Sequence, residues 1–111
     1  MKYSNIWNII IYSTSQRIFL FVSAVLGTHT HVQTADGCIL PKGTAYISDV
    51  GMTGAIDSVL GVKTELAIQQ FTSQIPVRFQ HAQGPARLCA VCVELDDKTG
   101  QAKGITPIQI P

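Results

Sequence analysis

The sequence predicts a partial α/β domain that contains several strands, one main helix and a C-terminal antiparallel meander. Three observations lead to this prediction. An apolar, β-branched run, Ile18 to Leu26, ends at Gly27, as buried strands of α/β sheets commonly do. Apolar residues with helical spacing follow between Lys63 and Ser73. Three strand-like runs joined by turn residues fill the rest of the chain.

The first two predicted strands are Val22 to Gly27 and Gly43 to Val50. Each consists mainly of apolar, β-branched or aromatic residues, which favour extended structure. The turn signal Pro41-Lys42-Gly43 introduces the second strand, and a loop with glycines at 51 and 54 follows it. We expect those glycines to serve a turn with unusual φ angles.

The helix is predicted over Lys63 to Ser73, with Pro76 stopping it. Three strands are predicted after it, over Val77 to Ala82, Arg87 to Leu95 and Ala102 to Ile110. The linkers between them are rich in glycine, proline and aspartate, so consecutive strands should pair antiparallel. Tyr46, in the second strand, and Phe79 are expected to pack inside the domain.

Length and charge limit the possible functions. The chain has 111 residues, which allows one domain with a modest core. Charged residues make up 14% of it, against about 25% in typical proteins, and the net charge is +1 without any basic cluster. A nucleic-acid polymer is therefore not an expected partner.

The hydrophobic segments and the cysteines indicate whether the protein is in a membrane and in which compartment of the cell it lies. The longest near-apolar run, Ile18 to Leu26, is too short for a membrane span, which needs about 20 apolar residues. We therefore predict no membrane partner, although composition alone leaves open a small membrane-inserted protein that uses residues 1–26. Cys38, Cys89 and Cys92 lack the spacing of a disulfide framework, which favours a cytoplasmic protein. The C-x-x-C pair lies in a predicted strand and is interpreted as two packing residues.

Two histidines, His29 and His31, follow the first predicted strand with one residue between them. In an extended backbone such side chains point the same way, so both imidazoles could reach one metal ion or an adjacent pair. Asp36 or Asp49 could add a third ligand, although a loop aspartate more often caps a turn. The third histidine, His81, is interpreted as structural or exposed.

Three segments together resemble the C-terminal part of YmdB-like metallophosphoesterases. They are Val22–Asp36 (VSAVLGTHTHVQTAD), Leu40–Gly54 (LPKGTAYISDVGMTG) and Ile75–Phe79 (IPVRF). The resemblance implies a calcineurin-like α/β sandwich, a two-metal centre of divalent iron or manganese, and hydrolysis of phosphodiesters that include cyclic nucleotides. It also implies that His29 and His31 are metal ligands.

Most of the family's other ligands have no counterpart in this chain. Members of the family carry an Asp ligand, a Glu-Asn pair, an Asn followed by a catalytic His, and a further His, all before the H-x-H motif. Residues 1–21 contain no Asp, Glu or His and do not resemble the family. We therefore expect an unrelated N-terminal segment, out of frame or poorly ordered, followed by a metallophosphoesterase-like portion over residues 22–111.

Two hypotheses follow from this comparison. The first is a truncated remnant of a metal-dependent phosphodiesterase that is inactive alone and binds no metal, or binds it weakly. The alternative is a non-catalytic metal- or protein-binding module that complements a separate N-terminal half. A half-sandwich exposes apolar sheet faces, so both hypotheses include association with itself or with that missing half.

Overall fold

A computed structural model describes residues 22–111, so the segment predicted to be unrelated, residues 1–21, lies outside the described residues. Six strands and one helix follow in the order β1 (Ala24–Leu26), β2 (Cys38–Ile39), β3 (Ala45–Ile47), β4 (Gly54–Ala55), α1 (Thr64–Ser73), β5 (Ala86–Leu95) and β6 (Ala102–Ile110). The predicted α/β class is confirmed.

The first sheet has the strand order β1-β3-β2. β1 pairs with β3 in parallel, with Leu26 opposite Ile47, and β2 pairs with β3 antiparallel. Both predicted strands therefore form, although each is shorter than predicted. Because β1 and β3 are parallel, the loops that follow them leave the sheet at the same edge, which is where α/β sheets place their sites.

The second sheet has the order β4-β5-β6 and is antiparallel throughout. Most of it is the long β5–β6 hairpin, whose turn is held by Asp96. This carboxylate accepts the amides of Lys98 and Thr99 at 2.9 Å and forms an ion pair of 2.7 Å with Lys103. These interactions, that of Lys103 first, lower the pKa of Asp96 to about 2. The carboxylate is thus ionised at neutral pH and keeps the hairpin turn closed.

The described residues bury few apolar side chains. Those that are buried are Ala45 and Ile47 on β3, Ala67 on α1 and Ala102 at the start of β6. The alternation on β3 places residues 45 and 47 on one face, towards β6, which lies against both β2 and β3. Three of these four residues, Ala45, Ile47 and Ala102, thus lie where β3 and β6 meet.

Helix α1 begins after Lys63 and ends before Gln74, which takes the left-handed conformation with φ 55° and bonds its amide to the Gln70 carbonyl. The predicted helix is confirmed, although it ends at this left-handed residue, before Pro76. Its apolar face has little cover, because Ile68 is 56% exposed and Phe71 is 82% exposed. No helix within residues 22–111 combines the length and apolarity needed to span a bilayer.

The strand predicted over Val77 to Ala82 is wrong. The segment makes one isolated bridge, between Val62 and His81, and bonds the Ala82 amide to the Gly61 carbonyl. It therefore lies against a turn and has no neighbouring strand with which to form a ladder. Phe79, predicted to pack inside, is 50% exposed. The third strand of the meander is instead β4, whose first residue, Gly54, was predicted to lie in a loop.

Candidate metal-binding site

The histidine loop, residues 28–34, follows β1 and is bonded to the segment that follows β3. Gly27 joins the two segments, since its amide donates to the Ile47 carbonyl and its carbonyl accepts the Val50 amide, both at 2.9 Å. The Thr34 amide also donates to the Asp49 carbonyl at 3.0 Å. The end of the second predicted strand, where Asp49 lies, is therefore next to the histidine loop.

Asp49 is the buried polar group of this edge, with 2% of its surface exposed. Its Oδ2 accepts the amides of His29 and Thr30, at 2.8 and 2.5 Å, and the Thr30 hydroxyl at 2.8 Å. Its Oδ1 accepts the Gly51 amide at 2.8 Å. One carboxylate thus holds the backbone of the histidine loop against the turn after β3.

The pKa of Asp49 reflects these bonds. Burial raises the pKa, but the hydrogen bonds from Gly51, Thr30 and His29 outweigh burial, and the net pKa lies below the ordinary value. Asp36 is exposed, and its pKa is lowered chiefly by the hydroxyl of Ser48 and then by that of Thr34. Both aspartates are therefore ionised at neutral pH and already serve as hydrogen-bond acceptors.

The suggestion that Asp36 or Asp49 supplies a third metal ligand is wrong for this arrangement. Both oxygens of Asp49 face backbone amides. Asp36 bonds the hydroxyl and amide of Ser48 and the hydroxyl of Thr34. Both aspartates therefore accept hydrogen bonds from nearby loop and turn residues, as loop aspartates commonly do.

His29 and His31 are both exposed on the loop at this edge. The backbone between them is bent, and His31 has φ 65°, so the extended geometry assumed for the pair is wrong. Across residues 22–111, no group of three or more His, Cys, Asp or Glu side chains could hold a metal ion. The two imidazoles suit iron or manganese, but the described residues alone do not complete a site. Their role as ligands stays a prediction.

Gln33 fixes the far end of the histidine loop, a role that was not predicted from the sequence. Its half-buried amide nitrogen lies 3.1 Å from the Val50 carbonyl and 3.0 Å from the Ala90 carbonyl, and a longer contact of 3.4 Å reaches Ile108. These carbonyls belong to the first sheet's edge and to both strands of the hairpin. A glutamine two residues after the second histidine carries no recognisable sequence signal for this role.

The remaining predicted residues have ordinary surroundings. The cysteines are free thiols, with Cys89 half-buried and Cys38 and Cys92 exposed, so Cys92 does not pack inside as interpreted. His81 is exposed, as expected. Gly51 has φ 90° and serves a turn, which confirms that interpretation, whereas Gly54 belongs to β4.

Comparison with known proteins gives consistent matches over most of the chain. The model of the family described as YmdB-like protein matches residues 19–108. A 2′,3′-cyclic-nucleotide 2′-phosphodiesterase of Bacillus subtilis is 56% identical over 88 residues, 79% of this chain and 33% of the relative. A protein of Mycoplasma genitalium named as a phosphatase/phosphodiesterase is 41% identical over 91 residues, 81% of this chain and 32% of the relative.

Two solved structures share the fold. A hypothetical protein from Thermus thermophilus superposes with a TM-score of 0.78 and 42% identity, covering 84% of this chain and 36% of that one. A phosphatase from Mycoplasma pneumoniae gives a TM-score of 0.75 and 40% identity, covering 80% and 32%. The chain spans about a third of the length of the curated relatives it matches. With a family model matched over most of its length, the chain belongs to the YmdB-like protein family.

Proposed function

We propose that this chain contributes the H-x-H part of a metal-dependent phosphodiesterase whose substrates are 2′,3′-cyclic nucleotides. The observation that carries the proposal is the histidine loop itself, held by the buried Asp49 at the shared edge of β1 and β3. The substrate class is taken from the name of the Bacillus subtilis relative.

In this function, His29 and His31 each contribute an imidazole ligand. Asp49 positions them by fixing the amides of His29 and Thr30, and Gln33 ties the loop to the second sheet. A bound pair of divalent iron or manganese ions would supply a nucleophile at neutral pH and stabilise charge on the phosphate oxygens. The remaining ligands must come from residues other than those described, so residues 22–111 do not catalyse alone.

The first prediction concerns hydrolysis of 2′,3′-cyclic AMP in the presence of Mn²⁺. The chain alone should be inactive, and it should hydrolyse the substrate when mixed with the part of the Bacillus subtilis relative that lies outside its match to this chain. In the mixture, His29→Ala and His31→Ala should each lower the rate at least about 100-fold, because each removes a metal ligand. The measurement is the initial rate of nucleoside monophosphate release.

His81→Ala is the matched control, since this third histidine is exposed and is bridged to Val62, which is not part of the histidine loop. Its rate in the mixture should stay within about twofold of the unaltered chain, as for most surface substitutions. Hydrolysis that survives both His29→Ala and His31→Ala would refute the assignment, as would hydrolysis by the chain alone.

A second candidate function is a protein-binding module, and the uncovered face of α1 favours it. Ile68 and Phe71 lie three residues apart on this helix and are 56% and 82% exposed, and Ile75, just beyond the helix end, is 65% exposed. Exposed apolar side chains that neighbour one another on a helix are typical of interaction sites. The proposed occupant is the separate part of the enzyme that carries the remaining ligands, and both candidates can hold together.

The second prediction is that the isolated chain self-associates through this helix face. Sedimentation velocity at micromolar concentration should show species larger than a monomer, and Phe71→Ser should shift them towards the monomer. Gln69→Ser, on the same helix, should leave the distribution unchanged because it alters a polar side chain. A monodisperse monomer that melts cooperatively would contradict the prediction.

A further inference from the structure

A cleft of about 410 Å³ opens beside His31, between the histidine loop, the segment after β4 and strand β5. Its volume falls within the roughly 300–1,000 Å³ of small-molecule sites. The side of the cleft formed by residues 52–60 includes the apolar side chains of Met52, Val59 and Leu60. The cleft therefore offers a hydrophobic wall within reach of one of the proposed metal ligands.

The opposite side of the cleft is polar. Arg87 lies two residues before Cys89 on β5, and Cys89 pairs with Gln109 on β6, so these three side chains share one face of the sheet. Among the described residues, one ion pair is found, between Lys103 and Asp96. The Arg87 guanidinium therefore has no carboxylate partner within that part of the chain. Arg87 and Gln109 thus present donors and an amide oxygen to the cleft.

The backbone around the cleft is unusual at two positions. Three non-glycine residues in the described part of the chain have positive φ, and two of them, His31 at 65° and Leu60 at 53°, line this cleft. A leucine in the left-handed region is uncommon and costs conformational energy. The third, Gln74, follows the helix end, where such a conformation is ordinary. The turn therefore holds the Leu60 side chain at the cleft despite this cost.

We infer that the cleft binds the nucleoside part of the phosphodiester substrate. The inference rests on the proposed function, which places the phosphate at the metals beside His31. A nucleobase has an apolar face that can pack on Met52, Val59 and Leu60. Its edge carries hydrogen-bonding groups that match Arg87 and Gln109, and a guanidinium can also stack on the ring. Inorganic phosphate alone would make no use of the apolar wall.

The test measures binding to the full chain, tethered at low density on a biosensor surface in the presence of EDTA. The probes are adenosine, 2′,3′-cyclic AMP and inorganic phosphate. Adenosine and the cyclic nucleotide should both bind with a Kd below about 5 mM, whereas phosphate should not. Because adenosine has no phosphate and EDTA removes metal ions, this result is independent of catalysis.

Two variants connect binding to the cleft. Arg87→Gln should weaken adenosine binding roughly 5- to 10-fold, as for loss of a charged hydrogen-bond donor, while Arg78→Gln, an exposed arginine elsewhere, should not. Leu60→Gly should also weaken binding yet keep or raise the melting temperature, since glycine adopts positive φ without strain. If Leu60 had only a structural role, Leu60→Gly would not weaken adenosine binding while keeping or raising the melting temperature.

Failure of adenosine to bind up to about 5 mM would overturn the inference, as would equal binding by the unaltered chain and both cleft variants. Binding of the cyclic nucleotide and phosphate without adenosine would assign the cleft to the phosphate group and would also overturn it. Adenosine binding in a chain that never supports hydrolysis would count against the proposed function and leave this inference supported.

Discussion

Asp49→Ala should destabilise the chain by about 3–4 kcal/mol and free the histidine loop. The substitution removes the acceptor for the amides of His29, Thr30 and Gly51 and for the Thr30 hydroxyl, at a site where the carboxylate is 2% exposed. Each N–H or O–H donor that is left without an acceptor at a buried site destabilises the folded state by the cost of its desolvation. The urea midpoint should fall by roughly 1–2 M for a chain of this size.

Amide hydrogen exchange separates this local role from general unfolding. At low urea, exchange of the His29 and Thr30 amides should accelerate in Asp49→Ala more than exchange of the β5–β6 ladder amides. Asp57→Ala is the matched control, because Asp57 is an exposed aspartate on a different loop. A midpoint for Asp49→Ala equal to that of Asp57→Ala would contradict the anchoring role.

Gly27→Ala should be comparably destabilising, for a steric reason. A Cβ at position 27 would overlap the Ser48 carbonyl oxygen and lie 2.8 Å from the Ser48 carbonyl carbon. Both are backbone atoms, so relief requires β1 and β3 to separate where Gly27 bonds to Ile47 and Val50. Such overpacking costs about 2–4 kcal/mol, and it also displaces the start of the histidine loop.

Gly37→Ala provides the comparison for this substitution. A Cβ at Gly37 would meet its nearest atoms at 3.7 Å and beyond, which is ordinary contact. Its urea midpoint should match or slightly exceed that of the unaltered chain, because alanine reduces the entropy of the unfolded state. Equal midpoints for Gly27→Ala and Gly37→Ala would show that the two segments do not approach as closely as described.

The longest elements were predicted best. The predicted bounds of the final strand, Ala102 to Ile110, agree with β6, and the helix and β5 differ from prediction by one residue each. These segments carry enough residues for their periodicity to be recognised. β2 and β4 contain two residues each, too few for a pattern. Residues 77–82 have strand-like composition, but a strand also needs a neighbour, which is a property of the whole fold.

The candidate site was predicted by position but not in its detailed geometry. The sequence places Asp49 at the end of the second predicted strand, but the parallel pairing of β1 with β3 that brings it to the histidine loop was not predicted. Whether a carboxylate binds a metal or accepts amides depends on the direction of nearby N–H groups, which local sequence does not specify. The positive φ of His31 is likewise not predictable from the sequence. Because of it the loop is bent, whereas an extended strand was assumed.

The most direct test of the central claim is to locate the metal. Crystals of the chain combined with the unmatched part of the Bacillus subtilis relative, grown with Mn²⁺, allow anomalous diffraction to place the ions. We expect anomalous peaks at the shared edge of β1 and β3, with ring nitrogens of His29 and His31 at about 2.0–2.3 Å from an ion. Peaks that lie away from both histidines, in a complex that hydrolyses 2′,3′-cyclic AMP, would contradict the claim.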